Sequence, residues 1–159
     1  MEITVGEILF LDTNILLIAT DESRPYHQLA TRVIATHNRS GIHLGISGQI
    51  IREYLVVATR VPEVNGLGLG PDEALSNIEV FRQRLVFFYE TEAVSNKLRS
   101  LIGSYQLTGK RIHDANVAAT MLTHSLSKLI TENPGDFSAF SDVETVRLAE
   151  ISAYISAAD

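Results

Sequence analysis

The run Ile8-Leu9-Phe10-Leu11, followed at once by Asp12-Thr13-Asn14, constrains this chain more than any other stretch. An apolar run without alternation, this close to the N-terminus, reads as a strand covered on both faces, as at the centre of a parallel sheet. It stops abruptly in three polar residues before a second apolar run, Ile15-Leu16-Leu17-Ile18-Ala19, begins. Asp12 is therefore expected at the carboxyl end of a central strand, the edge on which open α/β sheets bind their ligands.

Further along, strand and helix patterns alternate. The apolar spacing predicts a short helix over 15–20 and another opened by Pro25, with Leu29, Val33 and Ile34 on its buried face and Asn38-Arg39-Ser40-Gly41 at its close. Residues 42–46 read as a second strand, and Ser47 as the N-cap of a helix whose stripe is Ile50, Ile51, Tyr54, Leu55 and Ala58. Residues 61–70, rich in glycine, read as a connector; a phosphate cradle would need a lysine and a preceding strand. Pro71 opens the next helix, 86–89 is a third strand, and a helix then runs to about Gln106. A turn at 108–111 leads into an alanine-rich helix over 112–124 and a fourth strand at 128–131. An edge strand is expected at 145–148, and no role is evident for 151–159. Such alternation implies a three-layer α/β/α domain with a mainly parallel central sheet.

A length of 159 residues suits one domain, 1–159, with its core at about 7–148. The absence of cysteine excludes disulfides, thiolate metal sites and cysteine nucleophiles. No apolar run approaches a membrane span, and Met1-Glu2-Ile3-Thr4 lacks the basic start of a signal peptide, so no membrane and a cytoplasmic location are expected. The net charge of −6 argues against a broad basic footprint for nucleic acid. That objection is limited, since a site built from carboxylates is acidic until its cation arrives.

Three more acids join Asp12 by position. Glu53 lies in the second turn of its helix and can lean back toward the sheet edge. Asp114 falls in the first turn of the alanine-rich helix, and Asp136 follows the fourth strand. Singly, each has an ordinary explanation as a cap, a turn residue or a solvated helix charge. Together they would repel one another, a cost that a divalent cation removes. Oxygen-only, carboxylate-rich ligation suits Mg²⁺ or Mn²⁺ better than zinc.

Several motifs in order carry a resemblance: Phe10-Leu11-Asp12-Thr13-Asn14, Ser47 with Glu53, Arg111-Ile112-His113-Asp114-Ala115, and Thr131-Glu132-Asn133-Pro134-Gly135-Asp136-Phe137. In these the chain resembles the PIN-domain ribonucleases, most closely the VapC-like toxins of type II toxin–antitoxin systems, over nearly its whole length to about Leu148. The resemblance implies that Asp12, Glu53, Asp114 and Asp136 are catalytic and hold the metal directly or through water. It makes Thr13, Asn14, Thr131 and Asn133 the groups that orient carboxylates or water. It implies Mg²⁺- or Mn²⁺-assisted hydrolysis of RNA to 5′-phosphate and 3′-hydroxyl ends, a cognate antitoxin protein as partner, and a homodimer. Lys110 and Arg111 are candidates to contact RNA, whereas His113 is read as structural.

The alternatives within that family are a solitary RNA-processing nuclease and a catalytically silent module that binds RNA or protein. Clustered negative charge disfavours the silent module, because a binder gains nothing from it. A phosphatase built on Asp12 would need a second aspartate where Asn14 stands. A receiver domain would need one after the third strand, where Tyr89-Glu90 stands.

Overall fold

In the computed structural model, which describes residues 3–158, the leading apolar run becomes β1 (Ile8–Leu11), with Leu9, Phe10 and Leu11 wholly buried. It is followed by α1 (Thr13–Thr20), α2 (His27–Thr36), β2 (His43–Ser47), α3 (Gly48–Thr59) and α4 (Pro71–Arg84). Then come β3 (Val86–Phe88), α5 (Glu92–Tyr105), α6 (Arg111–Thr123), β4 (Lys128–Ile130), β5 (Glu144–Val146) and α7 (Leu148–Ala158). The strands form one sheet in the order β3-β2-β1-β4-β5, and every neighbouring pair is parallel. The sheet is thus wholly parallel, where the sequence reading said mainly.

That order fixes the place of the site. The chain adds strands outward from β1 to β2 and β3, then returns to lay β4 on the other side of β1. Right-handed crossovers put the helices before and after this reversal on opposite faces. α1 packs on α2 and α3, α3 on α4, and α2 on α7, while α5 and α6 pack on each other, giving the three layers. Where the winding reverses, loops diverge and leave a crevice outside the carboxyl ends of β1 and β4.

Three local expectations are corrected and one, at Ser47, is refined. Pro25 does not open α2. Asp21 accepts from Ser23 and Arg24 in a tight turn, Tyr26 takes a left-handed φ of 67°, and the His27 ring binds the carbonyl of Ile18, so the helix starts at His27. Ser47 occupies the N-cap position of α3, yet its buried hydroxyl has no partner, and the Glu90 carboxylate accepts from the Gln49 N–H instead. The last strand ends at Val146, and residues 148–158 are helical. There Leu148, Ile151, Ser152 and Ile155 are buried at helical spacing, on a face that packs on α2.

The glycine-rich connector is a connector, as expected. It folds back to satisfy the end of α3, with Leu67, Gly68 and Leu69 donating to the carbonyls of Val57, Arg60 and Ala58. A Cβ on Gly66 would lie 1.9 Å from the Arg60 carbonyl oxygen, which explains glycine there.

Candidate active site

Asp12 leaves β1 with its N–H bonded to the Ile130 carbonyl of β4, so the backbone itself holds it at the crevice. Its carboxylate is engaged on both oxygens. Oδ1 accepts from the Thr13 N–H at 2.7 Å, which caps α1, and Oδ2 accepts from Asn14 Nδ2 at 2.8 Å and Thr131 Oγ1 at 2.6 Å. The capping explanation is therefore correct for one oxygen and says nothing of the other. Asn14 also donates to Thr131 Oγ1, and its own oxygen accepts from the Glu132 N–H. The two β-strand ends are thus knitted together around one carboxylate.

Glu53 leans back along α3 as its place in the helix implies. Its Oε2 accepts from Thr13 Oγ1 at 2.8 Å and its Oε1 from Gln49 Nε2 at 2.7 Å. Asp114 is half-buried in the first turn of α6. Asp136 is exposed in the turn Pro134–Phe137, which the buried Phe137 anchors. Asn133 takes part through its backbone, whose N–H donates to Thr131 Oγ1.

Thr13, Glu53, Asp114 and Asp136 line a single cleft of about 1080 Å³; Asp12 does not line it and is joined to it through Thr13, whose N–H donates to Asp12 and whose hydroxyl donates to Glu53. Around them the same cleft carries Arg52, Arg60, Lys110 and Arg111. Glu53 and Asp114 are partly buried and all four basic residues are exposed, so the cleft has an acidic floor and basic walls.

Electrostatics record the crowding. Burial pushes the Asp12 carboxyl up to about 6, against the hydrogen bonds from Thr131 and Thr13, and the negative charges of Glu53 and Asp114 raise it further. Asp114 is also raised above its ordinary range, first by burial and then by Asp136 and Glu53. Among the described residues, no three His, Cys, Asp or Glu side chains stand close enough to hold one ion between them. Asp12 and Glu53 are held by their hydrogen bonds, and like charges repel. The donor chemistry still fits a hard divalent cation: all oxygen, mostly carboxylate, and carrying negative charge that a cation would offset.

Sequence reasoning missed several cleft residues. Gln49 lies four residues before Glu53 on the same helix face, a spacing that was available to find it. Arg52 and Arg60 also went unnoticed, as did Asn116, two residues past Asp114. His113, read as structural, lies in the cleft lining, its ring 72% exposed with Nδ1 3.9 Å from Glu53 Oε1.

A doubly wound sheet with an acidic cleft at its winding reversal describes a class of α/β proteins. Within that class the PIN domain profile matches residues 9–143, and the chain belongs to the PIN-domain family. No curated protein sequence matches the chain significantly. Among solved structures, VapBC2 from Rickettsia felis, bound to a DNA fragment from their promoter, is similar with a TM-score of 0.65 at 15% identity, over 88% of this chain and 98% of that one. A toxin-antitoxin complex from Klebsiella pneumoniae aligns with a TM-score of 0.52 at 23% identity, over 86% and 96%. VapC20 from Mycobacterium tuberculosis, a sarcin-ricin loop cleaving toxin, aligns with a TM-score of 0.63 at 13% identity, over 85% and 98%. At such identities the likeness is one of fold.

Proposed function

We propose that this chain is a metal-dependent endoribonuclease that hydrolyses RNA phosphodiester bonds, and that it is the toxin of a toxin–antitoxin pair. The observation that carries the reading is Asp12, held on both oxygens at the winding reversal and pushed up to about 6 beside Glu53 and Asp114. Stability alone gives a fold no reason to crowd Asp12 with Glu53 and Asp114 there. Asp12, Asp114, Glu53 and Asp136 would hold the ion, Mg²⁺ or Mn²⁺. When bound, it supplies a water of lowered pKa and polarises the phosphate.

The protein's own groups do the rest. Asn14 and Thr131 keep Asp12 in one rotamer, and Thr13 does the same for Glu53. Lys110, Arg111, Arg52 and Arg60 on the cleft walls draw the RNA backbone over the acidic floor. The toxin reading leans on the family and on the solved toxins of the same fold. It carries with it an antitoxin protein as partner, a homodimer and a cytoplasmic location.

The experiment is cleavage of single-stranded RNA by the purified chain in Mg²⁺ or Mn²⁺, against the same reaction in EDTA. Metal-dependent cleavage supports the nuclease; no cleavage overturns it in favour of a silent module, and cleavage that survives EDTA overturns the metal dependence. Expression in a bacterial host separates the rest. Growth arrest relieved by the neighbouring gene product supports the toxin, and an active enzyme without arrest supports a solitary nuclease.

A further inference from the structure

Gln49 is almost wholly buried, at 4% exposure, in the first turn of α3. Its side-chain amide spends both N–H donors on the cleft. One goes to Glu53 Oε1 at 2.7 Å, and the other to the backbone carbonyl of His113 at 2.9 Å, one residue before Asp114. Its oxygen accepts from Asn116 Nδ2 at 2.6 Å, on the same helix as Asp114. The opposite amide orientation would set oxygen against a carboxylate and a carbonyl, so the network admits only this one.

The ring closes through Glu90. Its Oε1 accepts from the Gln49 N–H at 2.5 Å and its Oε2 from Asn116 Nδ2 at 3.3 Å, with Arg52 3.4 Å from the same oxygen. Three segments distant in sequence are thereby tied at one point: the start of α3, the loop after β3 and the first half of α6.

A buried amide needs partners in any protein. What separates Gln49 from an ordinary satisfied core amide is where its donors go. With Thr13 holding Oε2 and Gln49 holding Oε1, Glu53 has both oxygens committed and one geometry available. The bond to His113 sets the height of α6 against α3, which sets the distance between Glu53 and Asp114. We infer that Gln49 is a positioning residue that locks Glu53 and the first turn of α6 in one frame, with Asn116 and Glu90 fixing its orientation. The inference rests on the nuclease reading above.

The test compares wild type with Gln49→Met, which keeps length and loses the amide, and with Asn116→Leu, which leaves Gln49 its donors but frees its oxygen. Mn²⁺ alone is titrated and free ion followed by electron paramagnetic resonance; kcat and KM for RNA are measured separately, and melting in EDTA reports folding. Gln49→Met is expected to weaken Mn²⁺ binding and lower kcat about 10- to 100-fold, with KM within about threefold. Asn116→Leu should move both in the same sense by less. A merely structural role would lower the EDTA melting temperature while kcat and Mn²⁺ binding per folded molecule stay within about twofold of wild type, and that result overturns the inference alone. If Gln49→Met does not fold, Asn116→Leu decides by the same split. If wild type binds Mn²⁺ without cleaving RNA, the binding arm decides. If wild type neither binds Mn²⁺ nor cleaves, the nuclease reading falls and the inference with it.

Discussion

The two ends of the sheet treat charge in opposite ways. At the amino end, Glu7 before β1 and Lys128 at the start of β4 meet at 2.5 Å, with side chains 19% and 11% exposed. Burial alone would raise the Glu7 carboxyl, but the bonds from Lys128 and the Thr4 amide outweigh it and hold the group below its ordinary value. At the carboxyl end, Asp12 is withdrawn from water more deeply than Glu7, has only neutral hydrogen-bond donors, and is pushed up to about 6 first by burial, with Glu53 and Asp114 adding to it. The same fold therefore pairs Glu7 with a lysine where only structure is at stake and gives Asp12 neutral partners alone where the strands' carboxyl ends open. Stability does not account for the second arrangement.

The comparison breaks most visibly at Asp12. Asp12→Asn is expected to cut RNA cleavage by about a thousandfold or more, as losing a central catalytic group does. It should also stabilise the metal-free protein. With a folded pKa of about 6 against an ordinary 3.8, the native state binds more protons than the unfolded state between those values, so stability falls as pH rises through that window. Above about pH 6 the whole penalty applies, and removing it returns about 1 to 3 kcal/mol. Urea melts in EDTA should show Asp12→Asn above wild type at pH 7.5, with the gap closing toward pH 4. A variant less stable than wild type at pH 7.5 would mean that the hydrogen bonds to Asp12 matter more than its repulsion.

At the other end the signs reverse. Lys128→Met leaves Glu7 withdrawn and unpaired, and should destabilise the protein by about 1 to 2 kcal/mol, less than a fully buried pair because both groups keep some solvent. Cleavage per folded molecule should be unchanged, and the Glu7→Gln, Lys128→Met double variant should recover most of the loss. A fall in kcat here would show that the two ends are coupled.

This contrast also explains how much could be read from sequence. β1, Asp12 and the order of strands and helices were legible because local pattern encodes them: an uninterrupted apolar run, then a polar stop. Glu53 and Asp114 were legible from helix position together with the family resemblance. The tie of Glu90 to Gln49 was not, because it joins residues separated by 41 positions and only the pairing of β3 with β2 brings them together. Ser47 stands at the N-cap position as its local pattern says, but for the same reason its missing cap bond was not legible: the Glu90 carboxylate, just past β3, accepts from the Gln49 N–H instead. α7 was hidden by Ser152 in the middle of its buried stripe, although Leu148, Ile151 and Ile155 keep helical spacing. Arg52 sits on the exposed side of α3 and Arg60 just past its end, where a sequence shows only surface charge.

The smallest expected effect tests whether the basic walls serve the acidic floor. A chain of net charge −6 does not attract RNA as a whole, so attraction must be local. Arg60, Lys110 and Arg111 are exposed on the cleft, whereas Arg52 is partly neutralised by Glu90. If each of the first three meets one phosphate, replacing it by alanine should weaken RNA binding about two- to fivefold. It should also flatten the dependence of log affinity on log salt by about 0.7, the value for one contact to a single strand. Arg52→Ala should do less on both counts. Arg39, exposed in the turn before β2 at the opposite end of the sheet, is the control and should change neither. Binding measured with Asp12→Asn in each background, to prevent turnover, isolates this effect from catalysis. Equal slopes for the cleft and Arg39 variants would mean that the walls do not contact the backbone, and that RNA is held by the floor and its ion alone.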